Sequence, residues 1–159
     1  MNCETLSRCL SDEREKQSLR ADYDDHSLNW VLKRADQMPR NGRLQKVLVK
    51  TERQEIAGWY LYYLNPGGVS EVVQFHAKAR FAHDVLSHLL YRAWRQGATV
   101  LSGRVEPHLM QAFSDKHCLF HCGPQWLVVH SRRPEVLHAF NRGDVSFSRL
   151  DGEWCFHFR

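Results

Sequence analysis

The order of the elements predicted for residues 55–106 constrains the fold of this chain more than any other feature. The stretch reads EIAGWYLYYLNPGGVSEVVQFHAKARFAHDVLSHLLYRAWRQGATVLSGRVE. Aromatic and β-branched residues favour strands over 56–64 and 69–75, and the NPGG turn at 65–68 joins them in a hairpin. A basic loop, a helix and a strand over 98–105 follow. This order predicts an α/β fold, in which a mixed central β-sheet is flanked by helices.

The helix in this stretch has the clearest apolar stripe of the chain. Gly97 is well placed to end it, because glycine readily adopts the left-handed conformation that follows many helices. The face that we expect to be buried consists of Val85, Leu86, Leu89, Leu90, Ala93 and Trp94.

Weaker patterns on either side extend this core into one domain over residues 26–159. Helical spacing predicts a helix from His26 to the Met38-Pro39 pair, and alternation predicts a strand over 44–50 that pairs with 56–64. After the crossover, we expect a helix opened by Pro107, a strand over 125–130, a helix over 134–140 and a last strand or hairpin over 145–158. The buried face of the helix after Pro107 is predicted to be Leu109, Met110 and Phe113.

Composition narrows the class of protein. The chain has 159 residues, 43% of them hydrophobic, which suits one globular domain. Residues 1–25 are polar apart from a few apolar positions, so we expect a short helix or an arm there. We find no apolar run of membrane-spanning length and no secretory signal, and five scattered cysteines suit reduced thiols. A cytoplasmic protein is therefore expected, and its net charge of +4 is too mild to indicate nucleic acid.

Three basic side chains lie at the predicted start of the clearest helix. Lys78, Arg80 and His83 crowd a position where the helix dipole disfavours cations. A bound anion would reverse that effect, because helix N-termini offer N–H groups to phosphates. The alternative is an ordinary solvated loop that happens to be basic.

Three segments carry a resemblance to a known family. They are Ile56-Ala57-Gly58, then Val72-Val73-Gln74 with the FHAKAR loop at 75–80, and the AFSDK sequence at 112–116. In order and spacing they resemble the C-terminal part of the GNAT acyltransferase superfamily, over roughly residues 44–158. The resemblance implies a GNAT-like fold with an abbreviated N-terminal part.

The resemblance also implies a function and a site. The function is N-acyltransfer from an acyl-CoA or acetyl-CoA co-substrate to an unknown amine acceptor, a small molecule or a peptide. Glu71 is implied as the residue that accepts the amine proton, with an ordinary solvent-facing strand residue as the alternative. The residues implied to bind the acyl-CoA are Gln74, Phe75, Ala77, Lys78, Ala79, Arg80, Phe81 and Ala82.

The sequence departs from the family pattern in ways that favour a second hypothesis. The loop has no glycine, although glycine lets backbone N–H groups approach a pyrophosphate. Ser114 stands where the family has its acidic Tyr, and the family's first strand and helix are not evident before His26. The alternative is a non-catalytic GNAT-like module that acts through assembly or ligand binding. A homodimer would cover the sheet edge or face that a missing half leaves exposed.

A weaker hypothesis concerns cysteine and histidine. The sequence at 117–122 places His117, Cys118, His121 and Cys122 close together. Thiolate and imidazole suit zinc, but a structural site needs four well-placed ligands, and only Cys155 and His157 are candidates to complete it. We therefore expect no metal, and we expect no cysteine nucleophile, since nothing in the sequence indicates an activated thiol.

Overall fold

A four-stranded mixed sheet lies at the centre of the protein, with helices on both faces. The structure is a computed structural model that describes residues 3–12, 19–38, 42–121, 129–146 and 150. Two short 3-10 turns, Ala79–Phe81 and Pro107–Leu109, precede the third and fourth helices. The elements in chain order are α1 (Cys3–Asp12), β1 (Leu19–Arg20), α2 (Asp25–Asp36), β2 (Arg43–Lys50), β3 (Ile56–Leu64), β4 (Val69–Ala77), α3 (Ala82–Arg95), β5 (Val100–Ser102), α4 (Met110–Asp115), α5 (Pro134–Arg142) and β6 (Val145–Ser146).

The sheet combines two hairpins with one crossover. Its strand order is β2-β3-β4-β5. Strand β3 is antiparallel to both β2 and β4, and β5 is parallel to β4. A parallel neighbour needs a crossover connection, and α3 supplies it. The predicted hairpins, crossover and mixed sheet are therefore confirmed. The short strands β1 and β6 form a separate parallel pair.

Two apolar cores hold the helices to the sheet. On one face, α3 and α4 pack against Tyr60, Tyr62 and Phe75. On the other face, α1 and α2 pack against Trp59 and Leu61. The central strand β3 is buried on both faces, which explains why its sequence is a continuous apolar run and not an alternation.

A β-bulge in β4 determines which side chains face each core. Leu61 pairs with Gln74, but the next residue, Tyr62, pairs with Val72, so Val73 is the extra residue. Val72 packs in the core under α3, whereas Val73 packs in the core under α1 and α2. Bulges bend a strand and increase its twist. The bulge divides β4 into a half that pairs with β5 and a half that does not.

The helices agree with the sequence patterns except at two side chains. Helices α2, α3, α4 and α5 are confirmed, and Asp24 caps α2 by accepting a hydrogen bond from the Ser27 N–H at 2.6 Å. The predictions that Trp94 and Met110 are buried were wrong: they are 65% and 47% exposed. Trp94 lies beyond the edge of the stripe that faces the sheet, and in α4 that role falls to Ala112.

The later strands differ from the prediction in length. The strand expected over 98–105 is confirmed only at Val100–Ser102, because its pairing with β4 ends there. The strand expected over 125–130 falls mostly outside the described residues, and Val129 and His130 are not in a strand. Of the last predicted strand, β6 is described, and 147–149 and 151–158 lie outside the described residues.

The N-terminal residues contribute to the core in the described part of the chain. In α1, Leu6 and Cys9 are buried against α2. Among the residues that the structure describes, no helix is both long enough and apolar enough to cross a membrane.

Candidate functional site

Strands β4 and β5 run side by side for three residues and then separate. The pairs are Val69–Val100, Ser70–Leu101 and Glu71–Ser102. A Cβ atom on Gly103 would lie 2.8 Å from Val72 Cβ, so the chain is still beside β4 at that point. Among the described residues, 74–77 of β4 pair with β3 alone, and Val73 is the extra residue of the bulge. One edge of this half of β4, roughly 13 Å long at 3.3 Å per residue, therefore leads from the bulge to the basic loop.

Glu71 lies at the point where the two strands part. It pairs with Ser102 on one side and with Tyr63 on the other, and it is half-buried. Directly opposed residues point to the same face of a sheet, and Tyr63 packs in the core under α1 and α2. Glu71 therefore faces the α1 and α2 side of the sheet, next to the opening between β4 and β5.

The carboxylate of Glu55, which was not among the predicted site residues, binds the basic side chains of the loop. Glu55 Oε1 accepts a hydrogen bond from Lys78 Nζ at 2.9 Å and a second one from Arg80 Nη2. These hydrogen bonds hold the pKa of the Glu55 carboxyl below its usual range; the bond from Lys78 has the larger effect and the bond from Arg80 the next largest. At neutral pH this carboxylate is therefore ionised and in place, and its ion pairs are lost only as the pH falls through the lowered pKa.

The hairpin register explains why Glu55 reaches the loop. Gly58 pairs with Ala77 in the antiparallel β3–β4 ladder. Continuing that register by three residues on each strand places Glu55 across from Arg80. The sequence signal was an acidic residue just before the strand that pairs with the basic segment, whereas the exact partner depends on the bulge in β4.

Half of the backbone donors expected at the loop are used inside the protein. Lys78 N–H donates to Ala57 O at 3.0 Å, Phe81 N–H donates to Lys78 O at 2.8 Å, and Ala82 N–H donates to Ala79 O. The N–H groups of Ala79 and Arg80 open the 3-10 turn, where no preceding turn supplies a carbonyl. Of the donors from 77 to 82, these two are the ones best placed for an anion.

The side chains implied to bind acyl-CoA divide into three groups. Phe75, Ala77 and Ala82 are buried in the core under α3, so they can offer a ligand only their backbone. Gln74 is half-buried and opposes Leu61, which directs it toward the α1 and α2 side. Lys78, Arg80, Ala79 and Phe81 lie at the surface or partly so, and the Arg80 guanidinium stands over the Phe81 ring at 4.7 Å.

Helix α4 contacts residues on both sides of the basic loop, one in β4 and one in α3. Phe113 contacts Phe75 edge-on, with ring centroids 5.7 Å apart. His83 Nε2 lies 3.4 Å from Asp115 Oδ2. The side chain of His83 is therefore directed to α4, whereas those of Lys78 and Arg80 are directed to Glu55. The site residues that the fold brings together are thus Glu55, Lys78 and Arg80, with Glu71 at the other end of the β4 edge.

The fold of this chain is similar to that of a solved structure. A "putative acetyl transferase" from Pyrococcus furiosus has a TM-score of 0.51 and 13% sequence identity, over 80% of this chain and 91% of that chain. The chain has a GNAT-like fold. At so low an identity, the likeness shows the fold and no more.

Other comparisons add little to this assignment. Wild-type TTHA1254 from Thermus thermophilus has a TM-score of 0.45 and 17% identity, over 84% of this chain and 95% of that chain. A mutant of TTHA1254 gives 0.47 and 17%, over 82% and 93%. These lower scores carry no weight for the fold. No protein-family model matches the sequence, and no curated protein matches it significantly.

Ser114 remains exposed on α4 of the GNAT-like fold. A serine hydroxyl is a far weaker acid than a tyrosine, so this residue is not suited to protonate a thiolate.

The cysteine and histidine cluster shows no metal site where it is described. His117 and His121 are exposed, and no group of three His, Cys, Asp or Glu side chains suited to a metal ion occurs among the described residues. Burial raises the pKa of the Cys118 thiol, which opposes a reactive thiolate. Cys122, Cys155 and His157 lie outside the described residues.

Proposed function

We propose that this GNAT-like protein transfers an acyl group from acyl-CoA to an amine. One observation carries the proposal: β4 and β5 part beside Glu71, and the edge of β4 that follows leads directly to Lys78 and Arg80. A ligand with amides along an extended arm and a diphosphate at its end matches that sequence of features. Coenzyme A has this form.

The ligand arm would lie along β4 from 73 to 77. Its amides can pair with strand-edge N–H and C=O groups in the same way as an added strand. The diphosphate would then meet the N–H groups of Ala79 and Arg80, with the Lys78 and Arg80 side chains supplying positive charge. This placement uses two backbone donors and two cations, where the family pattern uses glycine-supported N–H groups.

The thioester would lie at the end of this edge where β4 and β5 part, close to Glu71. The amine nitrogen would attack the thioester carbonyl carbon, its proton would pass to the Glu71 carboxylate directly or through water, and the C–S bond would break. The leaving group is an alkyl thiolate, a far weaker base than an alkoxide, so solvent can protonate it without an acidic side chain. The absence of a tyrosine at position 114 is compatible with this sequence of steps.

We expect coenzyme A to protect the native protein against unfolding, and the Lys78→Ala/Arg80→Ala variant to lose most of that protection. A ligand that binds only the native state, at about 100 times its Kd, adds roughly 2.7 kcal/mol to the free energy of unfolding. The measurement is a thermal-shift titration with coenzyme A and acetyl-CoA. Arg132→Ala/Arg133→Ala, which removes the same charge from exposed positions before α5, is the matched control and should behave as wild type.

The absence of a saturable shift in the wild type at millimolar coenzyme A would contradict the proposal. Equal loss of protection in both double variants would mean that net charge, and not the loop, is responsible. Only loss in the Lys78/Arg80 variant supports the site.

A second candidate function is assembly without catalysis. Tyr91 and Trp94 form an exposed aromatic pair on α3, with ring centroids 5.9 Å apart and exposures of 61% and 65%. Large exposed apolar side chains often mark contacts between proteins. A homodimer through this face, together with no response to coenzyme A, would favour the assembly function over the acyltransferase.

A further inference from the structure

Glu55 is paired with the two basic side chains of the loop. Its Oε1 atom accepts from both Lys78 and Arg80, the two cations that the proposed function assigns to the diphosphate. The side chain of Glu55 is 38% exposed, that of Lys78 44% and that of Arg80 65%. The carboxylate therefore supplies inside the protein what the ligand would supply from outside.

These ion pairs are of the kind that a ligand can displace. Exposed ion pairs contribute little to stability, because water screens them and long side chains lose freedom in forming them. The Glu55 side chain has room to turn toward solvent, since more than a third of it is already exposed. A diphosphate carries more charge than one carboxylate and offers more acceptor oxygens, so it competes well for the same donors.

We propose that Glu55 is a displaceable internal counter-ion of the diphosphate subsite and sets the charge that a ligand must carry to bind there. This rests on the proposed function. With Lys78 (+1), Arg80 (+1) and Glu55 (−1) the subsite has a net charge of +1, so a ligand without phosphate gains nothing by displacing Glu55. A diphosphate would gain ion pairs with both Lys78 and Arg80, and these outweigh its repulsion from the displaced Glu55 carboxylate.

Three proteins and three ligands test this. Glu55→Gln keeps the shape and hydrogen-bonding oxygen of the side chain but removes its charge, and Glu52→Gln removes the same charge from an exposed position in the β2–β3 turn. Each variant and the wild type are titrated by calorimetry with inorganic pyrophosphate, coenzyme A and pantetheine. We expect Glu55→Gln to bind pyrophosphate and coenzyme A about 1.5- to 5-fold more tightly than wild type, the change in affinity that corresponds to the loss of one exposed ion pair. Pantetheine binding and the Glu52→Gln variant should be unchanged.

The outcomes separate this assignment from the proposed function. Equal affinities of wild type, Glu55→Gln and Glu52→Gln for both phosphate ligands would overturn the role of Glu55, even if coenzyme A binds well. Tighter pyrophosphate binding by Glu55→Gln alone, with coenzyme A no better than pyrophosphate, would uphold the counter-ion and contradict the acyl-CoA function. Failure of pyrophosphate to bind wild type and Glu55→Gln would overturn the subsite. Circular dichroism confirms that each variant is folded.

Discussion

Replacing Gly58 with valine is expected to destabilise the protein by about 3 kcal/mol or more, the upper range for forcing a side chain into packed space. A Cβ atom at this position would lie 2.4 Å from His76 O, 3.0 Å from Ala77 Cα and 3.0 Å from Val85 Cγ2. The first two of these atoms belong to the backbone of β4, which cannot move without breaking its ladder with β3. Gly58 is therefore the position where β3, β4 and α3 approach most closely beside the loop.

The measurement is urea-induced unfolding of wild type and variant, with Gly67→Ala as the matched control. A Cβ at Gly67 would meet nothing within 4 Å, so its replacement adds only the strain of a φ angle of 75°. That strain costs about 1–2 kcal/mol. A loss at Gly58 no larger than the loss at Gly67 would mean that β3 does not approach β4 and α3 at Gly58 as closely as described.

Replacing Glu71 with glutamine is expected to lower kcat/KM for acyl transfer by about 10²-fold or more, the usual contribution of a general base. Glutamine has nearly the same shape but accepts no proton at neutral pH. Glu71 lies on the face of the sheet away from α3, beside the opening between β4 and β5, so it can meet an amine without contacting the loop. Affinity for coenzyme A should therefore stay as in wild type.

The assay follows thiol release from acetyl-CoA over a panel of amines that includes polyamines, amino acids and peptide N-termini. Glu135→Gln, an exposed carboxylate in α5, is the control for loss of one negative charge. Unchanged turnover in Glu71→Gln would remove this residue from the proposed mechanism. Loss of coenzyme A binding along with turnover would show that Glu71 has a structural role.

Local patterns were sufficient to predict most of the elements near the site. The aromatic run of β3 and the NPGG turn predicted the hairpin, and the apolar stripe with Gly97 predicted α3, because burial on defined faces determines these patterns. Gly97 has a φ angle of 89°, as its place after the helix requires. These features depend on residues close in sequence.

The bulge in β4 could not be predicted in this way. Nothing in the sequence around Val73 indicates that one residue there is unpaired, yet the shift decides that Glu55 lies across from Arg80 and not one residue away. The same shift places Gln74 on the same face of the sheet as Glu71, although strict alternation would place them on opposite faces. Side-chain partners across the ladder therefore needed the structure.

Errors in burial have a similar cause. Trp94 fits a helical stripe by its hydrophobicity, but the sheet is covered by the residues before it, so the ring points to solvent. The predicted length of the fourth strand of the sheet was wrong because its pairing with β4 ends at Ser102. Both outcomes depend on contacts with residues that are distant in the sequence.

The most direct test of the central claim is an amide NMR titration of the isotopically labelled protein with coenzyme A. We predict saturable shifts concentrated at the amides of Ala79 and Arg80 and along β4 from 73 to 77, with β2 unaffected. Titration with pantetheine should perturb β4 but not the loop. Saturable shifts confined to other elements, or no shifts at millimolar coenzyme A, would contradict an acyl-CoA site between β4 and β5.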